Sequence, residues 1–266
     1  SYSVTGVQTC ALPISTDIMV LLDISGSMAA VDLPATGETE PPTGGPNRLD
    51  HARDEIRRFL AARPQDRFGL ILFAQRPYPY CPLTLDHDLL GRLLDDARTD
   101  LIEDGTDLTA AIALGATRLR LGPAGQRTMI LVTDGCHNAP SPVSPPEAAA
   151  LAAREEIVVH VVAIGSARAV VPVERLGGID WRPAADRVDE AMLQAVAEAG
   201  QGVHARAADA ETFRAALQRI AAAERQRVVH RPPPRPRDLF PHCLAAAGLL
   251  LVAGFLLDRT VCLRVP

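Results

Sequence analysis

Asp23-Ile24-Ser25-Gly26-Ser27 sets one carboxylate and two hydroxyls at alternate positions, directly after the apolar run Ile18 to Leu22. Hard oxygen ligands at a point where a buried strand must break into a loop suit a small divalent cation. Two later segments add to the set: Gly105-Thr106-Asp107, and Thr133-Asp134-Gly135 behind the apolar run Met129 to Val132. In an open parallel α/β sheet the carboxyl ends of the strands share one edge, so loops distant in sequence converge there. Asp23, Ser25, Ser27, Thr106 and Asp134 are therefore the candidate metal ligands. Taken singly, each segment also reads as a helix cap or a turn. Their joint occurrence favours the metal.

Mg²⁺ demands near-octahedral oxygen coordination and gives up water reluctantly, so hydroxyls and carboxylates that leave a position open fit it, with Ca²⁺ or Mn²⁺ as alternatives. The absence of His and Cys among the five argues against Zn²⁺. Only Asp23 and Asp134 carry formal charge. A bound dication is then not over-neutralised and still attracts an external carboxylate.

Apolar periodicity predicts the elements that must hold these loops. Helices are expected over Arg48 to Ala62, Asp86 to Ala97, Thr109 to Leu121, Pro145 to Glu156, Asp189 to Ala199 and Ala208 to Arg225. Buried strands are expected at Arg67 to Ala74, Arg127 to Thr133 and Ile157 to Gly165, a short strand around Val203 to Arg206, and an edge strand at Pro77 to Cys81, where prolines fit best. Strands alternating with helices at this spacing predict an α/β fold with a doubly wound, mostly parallel sheet. Ala29 to Asn47 reads as an exposed loop beside the site, with Glu38 and Glu40 as solvated charges; Ser166 to Val188, with Trp181, reads as an irregular insertion. Cys81 and Cys136 are read as free thiols, too far apart to bridge.

With these residues in place, the chain resembles the von Willebrand factor type A domain, a Rossmann-like fold, over roughly Asp17 to Arg225. The metal-ion-dependent adhesion site (MIDAS) of that family joins a DxSxS loop, a Thr from a second loop and an Asp from a third. Asp23, Ser25, Ser27, Thr106 and Asp134 match it position by position. The resemblance implies that the serines and Thr106 touch the cation directly, that the aspartates often act through water, and that a partner's Asp or Glu fills the open position. The stretches Asn47-Arg48-Leu49, Asp66-Arg67-Phe68-Gly69-Leu70 and Cys81-Pro82-Leu83-Thr84-Leu85-Asp86 are further similar to Bat-type (aerotolerance) bacterial membrane proteins. The long loop at Ala29 to Asn47 departs from that group's shorter one.

Charge and composition divide the chain. All 27 basic residues are Arg, the net charge is −5, and the seven Arg from Arg225 onward against Asp238 and Asp258 leave residues 1–224 near −10. So acidic a part is not a nucleic-acid binder. The expected organisation is a type A domain at 16–225, an Arg/Pro linker at 226–238, a transmembrane helix at 239–257 and a short tail at 258–266. The span rests on nineteen residues from Leu239 to Leu257 without Asp, Glu, Lys or Arg, about 28 Å as a helix. Residues 1–15 are set apart: Val4 to Ile14, VTGVQTCALPI, resembles the translation of a sequencing-library adaptor and has no periodicity.

These features point to a bacterial membrane protein whose domain mediates metal-dependent protein–protein interaction without catalysis of its own. Five Arg precede the expected span and two follow it, which by local counting places the domain in the cytoplasm. The Bat-type resemblance implies the extracytoplasmic face, and that is the orientation expected. Partners would be a protein offering a carboxylate, other Bat-type proteins or an AAA-type ATPase. Docking on such an ATPase is one alternative function. A metal-dependent phosphoester hydrolase is another, for which His137 is the one evident base; no Lys and no Gly-rich phosphate loop accompanies it.

Overall fold

Residues of the first strand point alternately to two cores, and the rest of the fold follows from covering both. A computed structural model describes residues 16–32, 46–122, 126–135, 137–165, 169–175, 178–183, 189–207, 209–230, 244–245 and 247–254. Strand β1 (Thr16–Asp23) leads through a 3₁₀ turn (Gly26–Ala29) to a two-residue strand β2 (Val31–Asp32) and helix α1 (Arg48–Ala61). Then come β3 (Arg67–Phe73), β4 (Pro77–Thr84), α2 (His87–Asp96), α3 (Leu108–Arg120), β5 (Gln126–Thr133), α4 (Pro145–Arg154) and β6 (Ile157–Ile164). A hairpin of β7 (Ala169–Arg175) and β8 (Gly178–Pro183) precedes α5 (Glu190–Ala199), β9 (Gln201–Ala207) and α6 (Ala210–His230).

Six strands form the main sheet in the order β4-β3-β1-β5-β6-β9. All neighbours are parallel except β4, which runs antiparallel on the edge. Ile18, Val20 and Leu22 pack with α1 (Ile56, Leu60), α2 (Leu90, Leu94) and α6 (Phe213, Ile220). Met19 and Leu21 pack with α3 (Ala111, Ile112), α4 (Ala149) and α5 (Leu193, Val196) on the other face. Burial on both faces is why β1 reads as one unbroken apolar run. Each fully buried Leu or Ile contributes about 1.5–3 kcal/mol, so the sheet is strongly held where the site needs it.

The α/β, mostly parallel architecture agrees with expectation, and several boundaries differ. The insertion read as irregular holds β7 and β8, which join β2 in a second, three-stranded sheet. Among the described residues β2 pairs with Ala169 and Val170 of β7, and β7 pairs with β8 from Val170 to Arg175. Helix α6 runs to His230, so residues 226–230 are helical where a linker was expected.

The chain divides into two units, Ser1–Val228 and Val229–Pro266. The spanning helix expected at 239–257 is not found: of that range, residues 244–245 and 247–254 are described and helical, and among the described residues no helix is long and apolar enough to cross a membrane. Residues 1–15, most of the 29–47 loop including Glu38 and Glu40, Cys136 and the 258–266 tail lie outside the described residues. Cys81 is a buried free thiol.

Candidate metal centre

Strand order reverses direction about β1, with β3 on one side and β5 on the other. The crevice beyond the carboxyl ends of strands at such a reversal is where open α/β sheets place ligands. Asp23 ends β1 and Asp134 follows the last residue of β5, so both carboxylates come to that crevice from neighbouring strands.

Hydrogen bonds tie the three loops together pairwise. Thr133 Oγ1 donates to Asp23 Oδ2 at 2.6 Å, joining the first loop to the third. The Gly26 amide donates to Asp104 Oδ1 at 2.8 Å, joining the first to the second. Asn138 Oδ1 accepts from the Thr106 amide at 2.8 Å, and Thr106 O accepts from the Asn138 amide at 3.2 Å, joining the second to the third. Within the first loop the Ser25 amide donates to Asp23 Oδ1 at 2.9 Å, and the Ser25 and Ser27 hydroxyls lie 3.0 Å apart. Gly135, at φ +96°, lets the chain turn sharply after Asp134 and donate its amide to Thr133 Oγ1 at 3.1 Å. Asp23, Ser25, Thr106 and Asp134 are all buried, and Ser27 is half-buried.

Burial first, and then the charge of Asp134, push the Asp23 carboxyl up from 3.8 to about 7. Burial and a second acid close by thus hold the Asp23 carboxyl against ionisation. Arg48 supplies one cation nearby. Its Nε and Nη2 donate to Asp32 Oδ2 and Oδ1 at 3.0 and 2.9 Å, and Nη1 reaches Asp134 Oδ2 at 3.3 Å. Burial would lower the Arg48 pKa, but the hydrogen bonds and charges of Asp32 and then Asp134 outweigh it and raise it.

The donor set fits a hard dication. It offers two carboxylates and three hydroxyls, all oxygen, and a dication would relieve the Asp23–Asp134 repulsion. Among the described residues no group of three or more His, Cys, Asp and Glu is placed to hold a metal. A centre that relies on hydroxyls has no such group.

The von Willebrand factor type A family matches residues 18–137, which contain all five candidate ligands. Residues 18–137 are a von Willebrand factor type A domain. An aerotolerance-related membrane protein from Bacteroides fragilis is 26% identical, with a TM-score of 0.65 over 79% of this chain and 100% of that one. BatB from Bacteroides thetaiotaomicron is likewise 26% identical, at 0.64 over 78% and 100%. The type A domain chain also matches an uncharacterised Borreliella burgdorferi protein, 25% identical over 97% of this chain and 73% of that one. The fold alone is shared with proximal thread matrix protein 1 of the mussel byssus, 16% identical, TM-score 0.56 over 79% and 46%, solved with a zinc-occupied MIDAS motif.

Sequence reasoning did not assign roles to Arg48, Asp32, Asp104, Thr133 or Asn138. Arg48 had one signal: a cation at the first position of a helix, where the macrodipole disfavours it, needs a carboxylate partner. Asn138 fastens the second loop to the third. His137 is half-buried, and its Nδ1 has no hydrogen-bond partner among the described residues.

Proposed function

We propose that this protein binds a divalent cation through Asp23, Ser25, Ser27, Thr106 and Asp134, and uses it to capture a carboxylate of a protein partner. The observation that carries the reading is the hydrogen-bonded convergence of the three loops on a buried pair of acids. The bound ion supplies a fixed positive centre for the partner's Asp or Glu. The chain's own residues orient it: Thr133 and the Ser25 amide hold Asp23, and Asn138 holds the Thr106 backbone. All-oxygen donors favour Mg²⁺, with Ca²⁺ or Mn²⁺ as alternatives, over the zinc seen in the byssus protein. Other Bat-type proteins or an AAA-type ATPase are the partners proposed.

The protein is proposed to be tethered through residues 239–257 with the domain outside the cytoplasm. In support, Leu244, Leu249, Leu250, Leu251 and Val252 are all exposed apolar side chains on helical residues. Protease accessibility of the tagged domain in spheroplasts tests the orientation.

Isothermal titration of the full chain with MgCl₂ tests the site. Binding is expected in the wild type and lost in Asp23→Ala and Thr106→Ala. No binding of Mg²⁺, Mn²⁺ or Ca²⁺, or unchanged binding in Asp23→Ala, would end this reading.

A further inference from the structure

Arg48 is the most constrained side chain around the centre. Asn47 and Asp50 form a reciprocal capping box that sets the first turn of α1, with the Asp50 amide donating to Asn47 Oδ1 at 2.8 Å and the Asn47 amide to Asp50 Oδ2 at 3.1 Å. The Arg48 amide donates to Ala30 O at 2.9 Å, so its backbone is pinned as well. Its guanidinium lies against Gly165 at the end of β6, where φ is +133° and a Cβ would come within 2.7 Å of Nη2. Any side chain at Gly165 would displace the fork. Asp32 then takes two of its donors on one edge, leaving Nη1 for Asp134 Oδ2.

One oxygen of Asp134 is thus held by a group that is itself held at four points. We infer that Arg48 is a positioning residue that makes the centre selective for a small cation over a large one, resting on the cation reading above. Mg²⁺ demands ligands at 2.0–2.1 Å in a near-ideal octahedron, whereas Ca²⁺ accepts longer bonds and irregular geometry. With Oδ2 accepting from Arg48 Nη1, a two-oxygen grip on an ion would have to share that atom with the guanidinium. A carboxylate whose plane is set by a fixed fork in this way suits the small octahedral ion better than the larger one, which gains most from a two-oxygen grip. The device also ties the centre to the small sheet, because Asp32 belongs to β2, which pairs with β7.

Lys at position 48 keeps the charge but not the fork, so it cannot engage Asp32 and Asp134 together. Asn at position 32 keeps the shape but releases the guanidinium's charged anchor. The test titrates full-length wild type, Arg48→Lys and Asp32→Asn with MgCl₂ and with CaCl₂, alongside Arg57→Lys, which alters the remote Arg57–Asp95 pair. The ratio of Ca²⁺ to Mg²⁺ dissociation constants is expected to fall about fivefold or more in Arg48→Lys and Asp32→Asn, and to stay at the wild-type value in Arg57→Lys. Both constants are read on the same sample, so a loss of folded protein does not move their ratio. If the wild type binds both ions and the ratio is unchanged in the two variants, the positioning role is overturned and the cation reading stands. If the wild type binds neither ion, the cation reading falls and this inference with it.

Discussion

Strand β5 begins in one buried polar cluster and ends at another, and the two are built on opposite principles. At its start, Thr128 Oγ1 donates to Glu224 Oε2 at 2.8 Å and Gln126 Nε2 donates to the same oxygen. His160 Nε2–H donates to Glu224 Oε1 at 2.8 Å. The ring is oriented because its Nδ1 accepts the Val203 amide at 3.0 Å. Among the described residues one carboxylate receives donors from two strands, β5 and β6. At the other end, Asp23 and Asp134 are held near each other in burial, and the pKa of Asp23 rises. A cluster rich in donors locks a helix to a sheet; one in which two acids and Asp32 share a single guanidinium is left short of positive charge.

Removing the acid should therefore have opposite consequences at the two ends. Glu224→Ala leaves the His160, Thr128 and Gln126 donors buried without their acceptor, and a loss of about 3–5 kcal/mol is expected in urea unfolding. Next in size is the effect of the ion. Mg²⁺ at about 100 times its dissociation constant should stabilise the wild type by about 2.7 kcal/mol and leave Asp23→Asn unchanged, as followed by thermal unfolding.

In EDTA at pH 8, Asp23→Asn should be more stable than the wild type by about 1 kcal/mol or more, since it removes a buried charge from beside Asp134. A raised folded-state pKa means that the native state binds more protons than the unfolded chain between 3.8 and about 7. Stability from Asp23 is then fully present below about pH 4 and is lost as pH rises through about 7. The advantage of Asp23→Asn over the wild type should grow across that window and level off above it. Were Asp23→Asn to destabilise as much as Glu224→Ala, the distinction between the two ends would be lost.

Smallest is Thr128→Val, which deletes one of three donors to Glu224 and should cost about 1 kcal/mol. Its Mg²⁺ affinity should match the wild type; a changed affinity would mean that the two clusters communicate along β5.

Much of the architecture was legible in residue order. Strands buried on both faces must be almost wholly apolar, so β1, β5 and β6 announced themselves, and the amphipathic stripes of α1 and α2 needed no partner to be recognised. The hairpin β7–β8 was hidden because its strands are short and hold each other by cross-strand pairing, which the residue order of either strand alone does not show. The extension of α6 to His230 was hidden by the Arg-rich sequence that carries it.

By itself the sequence determined which atoms could meet a cation, because hydroxyls and carboxylates placed at the ends of buried strands are confined to one edge of a parallel sheet. Tertiary structure alone decided how those atoms are held. Arg48, Asp32 and Gly165 lie far apart along the chain, and nothing local to any of them predicts the others. The guanidinium's fixed fork meets its carboxylates only after the strands are ordered, since hydrogen bonds depend on distance and angle, which residue order does not contain.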